Sequence, residues 1–347
     1  MAYTDIDKPD DYFNTVTYTG DGNSNRSVTG VGFQPDWTWI KRRNTTGNHP
    51  WFDVVRGPTN WLYCNLTQAQ ESESYTDNAA FISDGFKPDN AGSTNASGST
   101  YVGWSWLADN TTGSSNTDGS ITSTVSANTT SGFSIVTWTA PSSGSNTDTI
   151  GHGLSAVPKM IIAKTSSASD GWRVYHNGAG IDKHGAINNS NAFNSNTNIW
   201  PTLPTTSIFY PGSDASINSS SRTYVAYCFA EKQGFSKITQ YTGNGNSDGP
   251  FIYTGFKPAW VLHKGIDNSN GWHLHDNKRD PINPCDNPLF PQSDIAEGSD
   301  TLCDFLSNGL KIRSTLGSRN GNGSTYLIMA FAENPFVTST GIPGLAR

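Results

Sequence analysis

The sequence predicts an all-β protein built from three tandem antiparallel β-sandwich repeats of about 100 residues. Three observations lead there. An ordered set of landmarks occurs three times along the 347 residues. Apolar residues inside the landmarks alternate with a period of two, which is the period of a strand. The 35 glycines and 18 prolines cluster with Asn and Asp between these runs, where turns belong.

Each repeat opens on an aromatic-led run, at residues 12–16, 132–136 and 234–238. A glycine-rich turn follows in two of them: Tyr18-Thr19-Gly20-Asp21-Gly22-Asn23 matches Tyr241-Thr242-Gly243-Asn244-Gly245-Asn246. The second copy reads Trp138-Thr139-Ala140-Pro141 there. Next comes a proline with a lysine six positions on: Pro35 and Lys41, Pro158 and Lys164, Pro258 and Lys264. Between them, Trp37/Trp39, Met160/Ile162 and Trp260/Leu262 share one strand face. A tryptophan arrives eight to ten residues after each lysine: Trp51, Trp172 and Trp272.

The closing landmark begins Thr100-Tyr101, Thr223-Tyr224 and Thr325-Tyr326. Beyond the tyrosine, one face carries Val102, Trp104 and Trp106; Val225, Tyr227 and Phe229; Leu327, Met329 and Phe331. The other face is mostly small, with Gly103, Ser105, Ala226, Cys228 and Ala330. The bulky face should enter a core and the small face should lie under another layer. Each large side chain fully buried contributes roughly 1.5–3 kcal/mol, so a handful would support a sandwich with its own interior, of jelly-roll or lectin-like type. Only residues 67–74 read as a short helix.

The repeat spacing places the boundaries. Pro158 and Pro258 lie 100 residues apart, Pro35 and Pro158 123 apart. The excess matches residues 109–131, rich in Ser, Thr, Asn and Gly, which bury too little to offset backbone ordering and read as a flexible or surface-laid linker. The expected organisation is repeat one over 1–108, this linker, repeat two over 132–231, and repeat three with a C-terminal tail over 232–347.

Composition excludes several classes. With 16 Phe, 13 Tyr and 11 Trp the chain has too much core material to be disordered. Its net charge of −7 argues against a nucleic-acid partner, which requires concentrated positive charge. Apolar runs such as 160–163 and 327–332 fall short of the roughly 20 residues of a membrane helix, and no secretion leader is expected. The four cysteines, Cys64, Cys228, Cys285 and Cys303, lack CxxC spacing. They read as buried or incidental thiols, with a Cys285–Cys303 bridge as the alternative.

Candidate chemistry is sparse. Asp53 and Arg56, and Asp276 and Arg279, repeat a D-x-x-R spacing, read as a pair that pins a loop rather than a catalytic couple. His273 and His275 share a strand face near His263, and Asp276 could complete a metal set, but the spacing matches no established motif. The acids Asp84, Asp89, Glu297 and Asp304 show no spacing that singles out a glycosidase pair. No catalytic residue, metal or cofactor is expected. Aromatics in polar loops are the better contact candidates: Trp61, Tyr63, Trp200 and Tyr210, whose rings could stack on sugars or on partner proteins.

The repeated phrases resemble a known group. Residues 5–13 (Asp5-Ile6-Asp7-Lys8-Pro9-Asp10-Asp11-Tyr12-Phe13), residues 223–232, residues 253–260 and the late Ala330-Phe331-Ala332-Glu333-Asn334-Pro335-Phe336 resemble tandem-repeat virion structural proteins of tailed bacteriophages. These are the fibre-like and decoration types of phages infecting marine bacteria and cyanobacteria. The resemblance spans about residues 5–337 and carries no catalytic residue. It implies a non-enzymatic part of the particle exterior, assembled in the host cytoplasm, most simply a short tail fibre or spike component that contacts host surface polysaccharide. A capsid decoration protein or head fibre is the alternative, and a carbohydrate-active enzyme or free lectin is a second one. The early start of repeat one leaves no separate attachment domain or heptad stalk, which disfavours a long fibre. The implied partners are other virion proteins and further copies of the chain, as a trimer. The first repeat departs from the closing phrase, with Trp106-Leu107-Ala108-Asp109 in place of Phe-Ala-Glu, and its docking on a neighbour is left open.

Overall fold

The structure, a computed structural model, describes residues 2–72, 80–88, 92–141 and 144–344. The first block of chain contains β1 (Phe13–Thr19), β2 (Val28–Thr29), β3 (Trp37–Arg42), β4 (Pro50–Asp53) and β5 (Asn60–Tyr63). It continues with β6 (Glu71–Ser72), β7 (Ala80–Ile82), β8 (Gly85–Lys87) and β9 (Thr100–Trp106). The second holds β10 (Ser114–Asn116), β11 (Ser123–Asn128), β12 (Phe133–Thr139), β13 (Ile150–Gly151) and β14 (Met160–Thr165). Then come β15 (Arg173–His176), β16 (Lys183–His184), β17 (Asn194–Ser195), β18 (Ile208–Phe209) and β19 (Thr223–Phe229). The third has β20 (Ser236–Thr242), β21 (Phe251–Tyr253), β22 (Phe256–Gly265), β23 (His273–Asp276), β24 (Cys303–Leu306), β25 (Gly309–Ile312) and β26 (Thr325–Pro335). Two single-turn helices, α1 (Ala215–Asn218) and α2 (Gly317–Asn320), interrupt them. The fold is all-β, with antiparallel sheets throughout.

The main sheets run β1-β9-β3-β4-β5-β6, β10-β11-β12-β19-β14-β15 and β20-β26-β22-β23. In each, the closing strand lies between the opening strand and the proline-led strand, antiparallel to both. The registers coincide: Trp37 faces Trp106, Met160 faces Phe229 and Trp260 faces Phe331. Trp104, Tyr227 and Met329 therefore occupy one position of the ladder.

Period-two alternation gives each main sheet a bulky face, but these faces do not enter three separate interiors. Trp37, Trp39, Trp104 and Trp106 pack in a single cluster with Met160, Ile162, Tyr227 and Phe229, and with Trp260, Leu262, Met329 and Phe331. The rings interlock across blocks: Trp37 stacks on Tyr227 with centroids 4.6 Å apart, Phe13 on Phe331 at 4.9 Å, and Phe229 meets Phe331 edge-on at 6.1 Å. One central core serves all three sheets. A sheet whose inner face carries large aromatics cannot leave it wet, and here the other two sheets cover it.

The opposite faces build three smaller outer cores, as the small-residue pattern requires. In the first block, Gly103 lies beneath Phe86 so closely that a Cβ there would stand 2.8 Å from the ring. The second outer core gathers Trp138, Ile161, Trp200, Phe209 and Tyr224, and the third Ile252, Val261, Leu310 and Tyr326. The recurring tyrosine has one task in every block. Tyr101 Oη accepts from Ala96 N (2.8 Å) and donates to Gly92 O (2.8 Å). Tyr224 does the same with Ser219 and Ala215, and Tyr326 with Gly321 and Gly317. Each phenol closes the turn that feeds its own strand.

Two expectations need correction, and the reading of the cysteines holds. Residues 67–72 form no helix, with β6 at their end, and 73–74 lie outside the described residues; the Gln/Glu/Ser run has no apolar stripe to bury as a helix. The 109–131 tract is not a loose connection: β10 and β11 extend the second sheet beyond β12, with Val125 buried against the outer core. Backbone pairing to an existing edge supplies the order its side chains cannot. The four cysteines are buried free thiols, and Cys285 N–H donates to Cys303 O at 2.7 Å across neighbouring chain segments.

Candidate functional site at the seams between sheets

The D-x-x-R pairs lie at the seams. Asp53, His176 and Asp276 share one ladder position, opposite Trp37, Met160 and Trp260. Each reaches into the next block. Asp53 Oδ2 accepts from Arg56 Nε (2.5 Å) and from Tyr227 Oη (2.7 Å), while Arg56 Nη2 also donates to Tyr227 Oη at 3.1 Å. Burial pushes the Tyr227 phenol well above its ordinary pKa, so it stays a neutral donor. Asp276 Oδ2 accepts from Arg279 Nε (2.6 Å) and from Trp104 Nε1 (3.0 Å). At the remaining seam the partner position is Met329, whose side chain has no N–H or O–H. There the carboxylate is replaced by His176, whose Nδ1 accepts from Gly178 N (3.0 Å), leaving Nε2–H for Ile328 O at 3.2 Å. Block one thus grips block two, two grips three, and three grips one.

A second set of bonds runs in the reverse sense. Trp172 Nε1 donates to Tyr63 O (3.0 Å) and Trp272 Nε1 to Ala186 O (2.9 Å). The position in the first block is His49, not Trp51: His49 Nδ1 accepts from Trp39 Nε1, and Nε2 donates to Ser293 O at 2.9 Å. Ladder register and the constant distance of eight residues from the lysine both identify the match. The recurring lysines support the same loops. Lys41 Nζ donates to Gly47 O and Asp294 O, Lys164 Nζ to Thr67 O and Asp170 O, and Lys264 Nζ to Gly265 O and Asn268 O. All three are buried, and burial pulls each ammonium down to about 8.

Open clefts lie over the seams. One of about 420 Å³ is lined by Lys159, Asn177, Glu231, Lys237 and Gln240. Another of about 330 Å³ is lined by Lys8, Asp10, Asn14, Asn277, Lys278 and Glu333. Glu231 holds Lys159 (3.2 Å) and Lys237 (2.9 Å), and Glu333 holds Lys257 (2.7 Å). The first block departs here as its sequence does. Ala108 stands where the glutamate would be, and buried Asp36 accepts instead from Ala108 N (2.6 Å) and Asn110 N (2.9 Å). Burial raises that carboxyl to about 6. The 109–131 tract lies along this seam, with Asn128 Nδ2 donating to Ala108 O at 2.9 Å, and a cleft of about 550 Å³ stays open between Arg56 and Gln70 on one side and Thr124 and Thr137 on the other.

The other candidates are placed as follows. His263 and His273 are buried and stacked at 4.8 Å, and His275 Nδ1 lies 3.6 Å from Asp280 Oδ2. Asp276 projects from the opposite face of β23 and is spent on Arg279 and Trp104, so it cannot join them. Among the described residues no three His, Cys, Asp or Glu side chains converge in a way that could hold a metal ion. Asp84 accepts from Gly30 N and Gly32 N, Glu297 pairs with Arg43 and Arg279, and Asp304 pairs with Arg313. Asp89 lies outside the described residues. The loop aromatics are not brought together. Trp61 is buried in the first outer core and Trp200 in the second, so neither ring is offered to a ligand; Tyr63 and Tyr210 are half-buried, in different blocks. Tryptophans flanked by Pro and Asn read as loop residues because the outer layers are made of short strands and turns with few apolar residues of their own. The seam residues Lys41, His49 and His176 were signalled only by their regular spacing from the prolines.

The profile of one family, described as Domain of unknown function (DUF7483), matches residues 8–335, and the chain belongs to that family. No curated protein and no solved structure matches it significantly.

Proposed function

We propose that this member of the DUF7483 family is a non-enzymatic structural protein of the exterior of a tailed phage particle, a short tail fibre or spike component that touches host surface glycans. The observation that supports it best is the single aromatic core shared by three sheets and locked at each seam by buried polar bonds. Such a body resists local opening, which a part standing outside the cell requires. The sequence phrases that resemble phage virion proteins supply the setting. In this reading the chain assembles in the host cytoplasm, docks on other virion proteins and forms a homotrimer.

The capsid-decoration alternative draws on one feature: among the described residues the helices are single turns, so nothing there forms a coiled-coil stalk. Locating the protein in a reconstruction of the particle separates the two, with density at the tail tip expected and density spread over the capsid favouring decoration. Purified protein should adhere to host cells and lose adhesion once their surface polysaccharide is stripped. Shortening of that polysaccharide on incubation with the protein would overturn the non-enzymatic reading. Light scattering should give three times the chain mass of 37.4 kDa; a monomer at micromolar concentration speaks against the trimer.

A further inference from the structure

Of the outer layers, that of the third block differs in what it shows to solvent. Its sheet runs β21-β25-β24 and alternates cleanly. Ile252, Leu310, Ile312, Cys303 and Phe305 point inward to the third outer core. Phe251, Tyr253 and Leu306 point outward and are 46%, 52% and 37% exposed. The strand position of Tyr253, next to the buried Ile252–Leu310 pair, is held by Thr29 in the first block and Gly151 in the second, so neither offers a ring there.

The outward face is ordered across the strands. Phe251 lies beside Lys311, which lies beside Asp304; Tyr253 lies beside Gly309, which lies beside Leu306. Gly309 leaves a shallow floor between the apolar side chains, and a Cβ there would meet Ile252 O at 2.2 Å and the Phe251 ring at 2.8 Å. Tyr253 is held in place through its hydroxyl, 3.2 Å from Tyr3 Oη, which in turn donates to Gly255 O at 2.9 Å. The charged groups cancel in pairs, Lys311 with Asp248 (2.7 Å) and Arg313 with Asp304 (2.6 Å).

We infer that this face is a binding platform for a neutral saccharide, which rests on the glycan-contacting reading of the function and places its contact. Two rings on alternate residues of one strand lie roughly 7 Å apart, suited to successive sugar rings, and their faces take the apolar C–H side of a pyranose. The paired ions present both donors and acceptors to hydroxyl groups without net charge, so an acidic polymer gains nothing from them. The exposed apolar area, a few side chains at about half exposure, falls well below the roughly 800 Å² per partner of a stable protein interface.

The test is saturation-transfer NMR and titration calorimetry of the intact chain with a panel of neutral gluco-, galacto- and manno-oligosaccharides and one hexuronate oligomer. At least one neutral oligosaccharide should bind, and Tyr253→Ala and Phe251→Ala should each weaken it by about tenfold or more. Leu203→Ala, exposed in the second block, should leave binding unchanged. Circular dichroism shows that each variant is folded, and Tyr253→Phe, which keeps the ring, should bind nearly as well. Neutral sugar bound equally by both alanine variants would overturn the platform while leaving the adhesive function intact. Binding of the hexuronate alone, or of no oligosaccharide, would overturn it as well. So would self-association of the chain that Tyr253→Ala abolishes.

Discussion

Asp276 holds two enclosed neighbours: the Arg279 guanidinium, which it shares with Glu297 and two backbone carbonyls, and the indole N–H of Trp104 from another sheet. Replacing it with alanine leaves the Trp104 N–H and Arg279 Nε without acceptors while Glu297 still balances the charge, a loss of about 2–4 kcal/mol, readable as a fall in the urea midpoint with the slope retained. Tyr224→Phe removes a smaller contribution. It leaves Ser219 N and Ala215 O without the hydroxyl that joins them and should cost about 1–2 kcal/mol by the same measurement. Histidines set the response to acid. Six of the seven are buried, and burial lowers the pKa of each, His152 and His176 to about 4. A folded-state pKa below the unfolded 6.5 means the unfolded chain binds the proton first. Stability is then complete above pH 6.5 and lost as pH falls toward 4, by roughly 3 kcal/mol for each of those two residues. Asp36, raised to about 6, acts in the opposite direction but is one group against six. Thermal midpoints measured from pH 7.5 to 4.5 should fall steadily, and a flat profile would show the imidazoles to be hydrated.

At the scale of elements, the closing strand was the most legible feature, because its alternation of bulky and small residues is also the alternation of its two faces. Gly103 shows why the small face is small. Gly103→Val would drive methyl groups into Phe86 beneath it and should destabilise the chain by about 1–3 kcal/mol, while Ser105→Ala loses one hydroxyl contact with Thr38. The recurring tyrosine was visible as a repeated letter, but its task, bonding a turn five to nine residues upstream, is a property of the folded loop. Residues 109–131 were misread because their side chains carry no core signal. Their order comes from β12, whose free edge accepts β11. Trp51 was matched with Trp172 and Trp272 by residue type, whereas the constant interval of eight from the lysine and the strand register both give that position to His49. Trp61 and Trp200 illustrate the same limit: local sequence marks them as loop aromatics, whereas burial depends on strands brought from elsewhere.

At the scale of the whole molecule, alternation tells that each main sheet has a bulky face but not what covers it. The sequence alone suggested three interiors; the structure has one central core with three outer ones around it. That difference decides how the chain unfolds. Were each block closed on itself, each would melt alone. With Trp37 on Tyr227, Phe13 on Phe331 and Phe229 on Phe331, no block can leave without exposing the inner faces of the other two. The seam bonds follow from this arrangement, since polar groups carried into a shared interior must find partners across it. Differential scanning calorimetry of the intact chain and of Asp276→Ala tests the shared core most directly. The account predicts one transition in each, calorimetric and van't Hoff enthalpies in agreement, with the whole peak moved to lower temperature in the variant. Separate transitions, of which the substitution moves some and leaves another in place, would contradict it.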